Sequence, residues 1–505
     1  MTLLGRITEG GHPTEMKDLL RSTSTIREKI EEGAKKTDSF FSSSCICLVP
    51  KRLRKLKADA YTPQLIAIGP LHREDAHLQT PLQHVKMSYT KHLLSRLTAG
   101  MEDQELAEQK KFMVLHECLR EMKASIDEAK KCYAAEVTLD EEMMLVDGCF
   151  ILEFLYRRCH RASAVQVKAD PIFDNSFNEW KIDYDLLLLE NQIPFFVLEK
   201  LFQLTIARIP NCCGSWLLAD HYVRRCFGNL FAPLLSGEQE TRRQAKGRRG
   251  SAKTWCLTSD SCAVSVFGAN TTAAEEVQSG NINPKYYHML HAIHDSYLPP
   301  HPIERETEIP SYGKYEIMPS ASVLAYAGVK FVPGRANNMF VAHFTKPKGL
   351  FWWYHRARLE IPPLGIYDAT EIVLRNLIAF EQCCPGVSHH FSSYANLMDV
   401  LVKSSKDVQV LQKAGVVNNQ VGAIEDATDL FNNLVKEVVV REEDYYADTF
   451  TNATEFSGHL LPKNMAYLRR KYFDSPWTFI AFCVGFIAFV MSIFSFAHDF
   501  FRKKS

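Results

Sequence analysis

Between Asp185 and Phe202 the chain reads Asp-Leu-Leu-Leu-Leu-Glu-Asn-Gln-Ile-Pro-Phe-Phe-Val-Leu-Glu-Lys-Leu-Phe. Four consecutive leucines cover every side of a helix, so this stretch has to be buried all round. Pro194 cannot sit in a helix interior; it ends one helix and suits the first turn of the next. Glu190, Asn191 and Gln192 are then polar groups at a tight corner between two buried helices. Their expected work is to cap backbone groups left unpaired there. A chain of 505 residues, 46% apolar and 23% charged, has the material for such a core, and wholesale disorder is excluded.

Charge narrows the function classes. The 59 Lys and Arg balance 59 Asp and Glu. A general nucleic-acid binder needs a basic field to neutralise phosphates, so nucleic acid is not an expected partner. Fourteen Cys without a CxxC pair fit neither a disulfide scaffold nor the usual structural zinc spacings. The close pairs Cys45/Cys47, Cys212/Cys213 and Cys383/Cys384 are expected to be free thiols.

The rest of the chain reads as mainly α (α+β): a large helical body with a minor β-sheet in its C-terminal half. Residues 1–44 form a mobile or loosely helical tail. Residues 45–295 are the helical N-terminal half, 296–314 a Pro-rich linker, and 315–470 a C-terminal half with the small sheet. Leu93, Leu94, Leu97, Leu106 and Leu115 among Lys and Glu predict amphipathic helices over 80–132. Thr138-Leu139-Asp140-Glu141 is a capping-box pattern opening a helix to about Arg158, on which Glu153 and Arg157 form an i,i+4 pair. Residues 236–253 are a basic loop. Strands are expected near 339–344 and 357–361, and helices over 369–381, 394–403, 406–414 and 424–439.

From Trp477 to Ala497 there are 21 residues without a charge, bracketed by Arg469-Arg470-Lys471 and Arg502-Lys503-Lys504. Such a run predicts one C-terminal transmembrane helix with a short tail, 498–505. The chain is then a single-pass membrane protein of the plasma membrane or an endomembrane, its body facing the cytosol. Ala481 and Gly485 would let two such helices approach in a homodimer. Asn270 and Asn452 head sequons that would be glycosylated only in a lumenal body.

Several stretches in a fixed order carry a resemblance. They include Ile46-Cys47-Leu48-Val49-Pro50, Ala60-Tyr61-Thr62-Pro63, Ile68-Gly69-Pro70-Leu71-His72, Met144 to Glu153, the four-leucine corner, His288-Met289-Leu290-His291 and Met318-Pro319-Ser320. Thr370-Glu371, Arg375 to Ala379, Lys406-Asp407-Val408 and Leu430-Phe431-Asn432 continue the series. The chain resembles the plant family catalogued as domain of unknown function 247 over roughly residues 45–497, a UPF0481-like membrane protein. It departs where Arg73-Glu74-Asp75 follows His72, since the family usually continues with a second His and a Gly. The resemblance implies a plant-specific protein with one C-terminal span and no catalytic activity established for the class. Some members are associated with self-incompatibility in grasses and with sex determination, which implies recognition or signalling through a protein partner.

For chemistry, His288, His291 and His294 lie three apart, with Asp295 nearby; two could share a metal, but further ligands and supporting groups would be needed. Asp147, Glu153 and Glu190 sit in apolar surroundings, where burial could suit acid–base work. Structural carboxylates are the commoner outcome. No GxSxG, P-loop, GxGxxG or HExxH motif is present. Arg248-Arg249-Gly250-Ser251 offers Ser251 as a phosphorylation site. The expectation is a non-enzymatic, membrane-anchored recognition or signalling protein without a cofactor. Its alternative is a cryptic membrane-tethered enzyme or metal-binding protein.

Overall fold

The computed structural model describes residues 13–43, 45–160, 170–210, 219–227, 286–299, 318–334, 339–347, 356–440, 445–459 and 476–502, with isolated positions between 460 and 475. Ser251, Asn270 and the basic loop lie outside the described residues. The fold is mainly helical. Its first helices are α1 (Pro13–Ser43), α2 (Lys51–Leu56), α3 (Val85–Arg96), α4 (Gln104–Lys131) and α5 (Glu141–Cys159). After these come α6 (Ser176–Asp185), α7 (Phe195–Leu204), α8 (Ala219–Phe227) and α9 (Met289–Tyr297).

Helix α5 is the axis of the N-terminal half. Every residue from Met143 to Leu155 is buried, so neighbours cover it on all sides. Its start is capped by Asp140, whose side chain accepts from the Met143 amide at 2.6 Å. The cap is thus two residues later than Thr138. Gly148 lets α7 come close: a Cβ there would lie 2.3 Å from Leu201 Cδ1. Helices α3 and α4 also pack on α5, and α4 packs on α7 as well. Leu93 and Leu97 turn inward, whereas Leu106 and Leu115 of the same heptad-like stretch face solvent.

The C-terminal half begins with α10 (Ala321–Tyr326), which Gly328 closes at φ 99° before β1 (Val329–Pro333). Strands β2 (His343–Thr345), β3 (Ala357–Ile361) and β4 (Leu364–Ile366) follow. Next are α11 (Thr370–Cys383), α12 (His390–Leu401), α13 (Ser405–Lys413), β5 (Val417–Asn419), α14 (Ile424–Leu434), α15 (Ala447–Gly458) and α16 (Pro476–Arg502). Strand β3 is central, parallel to β1 and antiparallel to β2, and β4 pairs in parallel with β5. Ala357, Leu359 and Ile361 are buried while Arg358 is exposed, the period-two pattern of a strand with one covered face. One apolar cluster runs through both halves, from Cys45 to Phe456.

Two expectations are corrected. The four leucines are not helical: α6 stops at Asp185, and Leu186–Leu189 form a fully buried turn. Buried turns need side chains to satisfy their backbone. The C-terminal apolar run does form helix α16, but among the described residues no helix is long and apolar enough to cross a membrane. Its described side chains run from Ile480 to Ser495. The proposed ends, Trp477 and Ala497, fall outside them. The transmembrane helix, the single-pass membrane localisation and the membrane as a partner are therefore not upheld.

Candidate functional site: a buried polar corner

The carboxylates and amides of the corner meet one stretch of chain, residues 49–72. Asp185, at the end of α6, takes three successive amides: Gln64 at 2.8 Å, Leu65 at 2.7 Å and Ile66 at 2.9 Å. Asn191 accepts from the Ile68 amide at 2.6 Å and donates to the carbonyls of Ile66 (3.0 Å) and Asp185 (2.8 Å). Gln192 donates to Leu186 O and Leu188 O and accepts from the Leu290 amide. Its amide thereby holds the leucine turn in place of helical bonds. Glu190 accepts from the Val49 amide, from Arg54 and from His72 Nε2.

Asp147, on α5, accepts from the Gly69 amide at 2.8 Å and from Lys86 Nζ at 2.6 Å. Gly69 has φ +72°, and a Cβ there would lie 2.5 Å from the Gln192 carbonyl oxygen. Only glycine fits this approach. From the C-terminal half, Asn376 on α11 accepts from the Leu189 amide at 3.0 Å and donates to Ala60 O at 2.7 Å. His72 Nδ1 faces Asp75 Oδ2 at 2.7 Å. Arg73 reaches Asp140, the cap of α5.

Electrostatics follow from this geometry. Burial pushes Asp185 up to about 6, against the pull of its three amides and Lys181. Burial also raises Glu190, but His72, Arg54 and the Val49 amide outweigh it and hold the carboxyl below its usual range. Burial lowers His72, and the Glu190 and Asp75 carboxylates more than restore it, so it ends above its ordinary value.

Glu153 belongs to a separate buried network. It takes three bonds from Arg96 and one from Arg157, the predicted i,i+4 partner, at 2.7 Å. Arg157 continues to Asp170, which also accepts from Tyr89 at 2.9 Å. Asp147, Glu153 and Glu190 are thus each occupied by amides or cations, and all three are buried. Asp147 and Glu190 hold backbone amides, and Glu153 holds two arginines.

The histidine stripe also divides among separate tasks. His288 caps α9 by accepting from the His291 amide at 3.2 Å. His291 Nδ1 accepts from the Tyr287 amide, and His294 Nε2 meets Glu381 at 2.8 Å. Glu381 also accepts from Phe391 N and from the amide and hydroxyl of Ser392, fixing the start of α12. Among the described residues, no group of three or more His, Cys, Asp or Glu is arranged to hold a metal. Asn452 is half-buried on α15. The described cysteines, Cys45, Cys47, Cys383 and Cys384 included, are free thiols; Cys212 and Cys213 lie outside the described residues.

Sequence reasoning did not single out Asp185, Asn376, Glu381 or Asp407. Asp407 accepts from the Ser322 and Ser404 amides, tying α10 to α13. Each lies within or beside a stretch quoted for the resemblance, but single-sequence patterns give no sign of partners more than eighty residues away.

A family model described as a plant protein of unknown function, DUF247, matches residues 46–491. UPF0481 protein At3g47200 of Arabidopsis thaliana is 25% identical over 483 residues, covering 93% of this chain and 90% of its own length. UPF0481 protein At3g02645 of the same plant is 20% identical over 505 residues, covering 88% of each chain. No solved structure matches. With the match running from the first anchored amides through the polar corner to the last helix, the chain belongs to the DUF247 family of plant proteins.

Proposed function

We propose that this chain is a non-enzymatic protein-recognition module, and that its docking surface is the outer face of α4. The observation that carries this is a row of exposed apolar side chains at helical spacing. Phe112, Leu115 and Leu119 lie at i, i+3 and i+7, and Phe112 is 67% exposed. Glu105 and Glu108 extend the same row by two turns and are exposed. Phe112 and Met113 line a shallow depression with Glu108 and Gln109. The fitting partner is another protein's amphipathic helix, with apolar residues three and four apart and Lys or Arg at one end for Glu105 and Glu108. The carboxylates best placed for chemistry are committed to backbone amides and cations, which supports a binding role over catalysis.

The test compares wild type with a Phe112→Glu/Leu119→Glu variant. Proximity labelling in plant cells should yield proteins marked by wild type and lost with the variant. Those proteins, purified and titrated against the chain, should bind the variant at least tenfold more weakly. Equal labelling and equal affinity by a correctly folded variant would overturn the proposal.

A further inference from the structure

Two helices of the N-terminal half bring a pair of sulfurs together. Cys159 is the last residue of α5, Cys226 is in α8, and their sulfurs are 3.2 Å apart. A disulfide needs about 2.05 Å, so closure asks for roughly 1 Å of movement by two side chains. The pair is asymmetric. Cys226 is buried, at 2% exposure, and its thiol points to the Leu155 carbonyl at 3.5 Å. Cys159 is half-buried at the helix end.

Cys45 and Cys132 share the split between a buried and a half-buried thiol, but the Cys45 thiol is turned to the Cys132 carbonyl at 3.7 Å. Cys47 and Cys384 are 4.0 Å apart and both buried, out of reach of an oxidant in solution. Near Cys159, contact with the Cys226 thiol lowers its proton affinity; burial opposes this, and the Arg225 and Arg158 charges add to the lowering. Cys226 is pushed the opposite way, first by burial and then by Cys159. A thiolate-prone, partly accessible sulfur beside a buried thiol is the arrangement of an attacking and a resolving cysteine.

We propose that Cys159 and Cys226 form a reversible disulfide on exposure to a hydroperoxide, stapling α8 to the end of α5. The Cys159 thiolate attacks one peroxide oxygen. An S–O bond forms, the O–O bond breaks, and the leaving hydroxide (for hydrogen peroxide) takes up a proton as water. The Cys226 sulfur then attacks the Cys159 sulfenic acid. The S–S bond forms, the S–O bond breaks, and the departing oxygen leaves as water with the Cys226 proton. Two thiols are oxidised by two electrons and one hydrogen peroxide is reduced to two waters. A dithiol reductant reverses the change by thiol–disulfide exchange.

The experiment treats the purified full chain with hydrogen peroxide at low molar excess, blocks remaining thiols and maps peptides without reduction. The expected result is a cross-linked peptide pair holding Cys159 and Cys226, lighter by two hydrogens and removed by dithiothreitol. Oxidised wild type should also melt several degrees higher than reduced, because a loop of over sixty residues is closed. Cys159→Ser should abolish both the cross-link and the shift, while Cys47→Ser should keep them. Should Cys226→Ser fail to fold, Cys159→Ser at the accessible helix end still decides. Recovery of Cys159 and Cys226 as separate blocked thiols, or of Cys159 as sulfinic acid without a cross-link, would overturn the proposal.

Discussion

The corner at Asp185–Gln192 and the histidine-lined seam between α9 and α12 are both buried polar regions, but they are built on opposite terms. In the corner, Asn191 makes three hydrogen bonds, Asp185 takes three amides and Glu190 takes three donors. In the seam, His294 Nδ1 and both ring nitrogens of His390 are buried without a hydrogen-bond partner. The His390 ring instead stacks on Tyr445 with centroids 3.8 Å apart. An unmade hydrogen bond in a protein interior costs the desolvation of that group, whereas a replacement that removes the polar atom relieves it. Polar identity is therefore indispensable in the corner and dispensable at His390 in the seam.

The largest expected effect is at Asn191. Asn191→Leu keeps the volume but leaves the Ile68 amide and the Ile66 carbonyl unpaired, while the Asp185 carbonyl keeps only the Leu188 amide; at roughly 1–3 kcal/mol per unpaired buried group the loss is about 2–6 kcal/mol. Urea unfolding, or failure to recover folded protein, reads this; a loss near 1 kcal/mol would break the contrast at once. Gly69→Ala comes next. The positive φ and the 2.5 Å approach to Gln192 O together should cost about 3 kcal/mol, seen as a lowered melting temperature. A neutral result would mean that residues 49–72 can shift away from the corner.

The seam should respond to pH instead. Burial, and secondarily His294, brings His390 down to about 4, and burial with His294 does the same to His291. The unfolded chain binds these protons near pH 6.5, while the fold refuses them until about 4. Stability is then complete above pH 6.5 and falls as the pH drops through that window. Buried Asp183 and Asp185, each brought up to about 6, work the other way, gaining stability as acid relieves their charge. The variant comparison isolates the histidine. His390→Phe retains the stacking and should lose about 1–2 kcal/mol less than wild type between pH 6.5 and 4.5 in urea titrations. Identical slopes would remove His390 from the account. The smallest effect is expected outside both regions: Phe112→Glu on α4 should change stability by under about 0.5 kcal/mol in the same titration. A large loss there would mean that the α4 face is covered by the chain itself.

Legibility in the sequence followed the range of the interactions. Local patterns placed α5, β3, α11 and α13 to within a few residues, because periodicity and capping residues act over one or two turns. The corner was legible as a place where Glu190, Asn191 and Gln192 serve backbone, but not whose backbone. Four leucines in a row look helical by pattern, and only Gln192 folding back on Leu186 and Leu188 makes them a turn. The terminal run was read by its uncharged length, and the described helix did not sustain that reading. Strands β4 and β5 went unseen, since three-residue strands have no room for a repeat. Leu106 and Leu115 fitted a buried heptad equally well from either side of α4; packing against α5 decided which leucines turned outward.

Asn376 has a consequence for how the chain is made. It joins Ala60 to Leu189, and the first of these was synthesised 316 residues earlier. At about 5–20 residues per second, a ribosome needs on the order of fifteen to sixty seconds to bring Asn376 out after Ala60. For much of that time the Leu186–Leu189 turn exists without the side chain that pins its last amide. The nascent N-terminal half is a partly secured apolar surface until the C-terminal half arrives to close it.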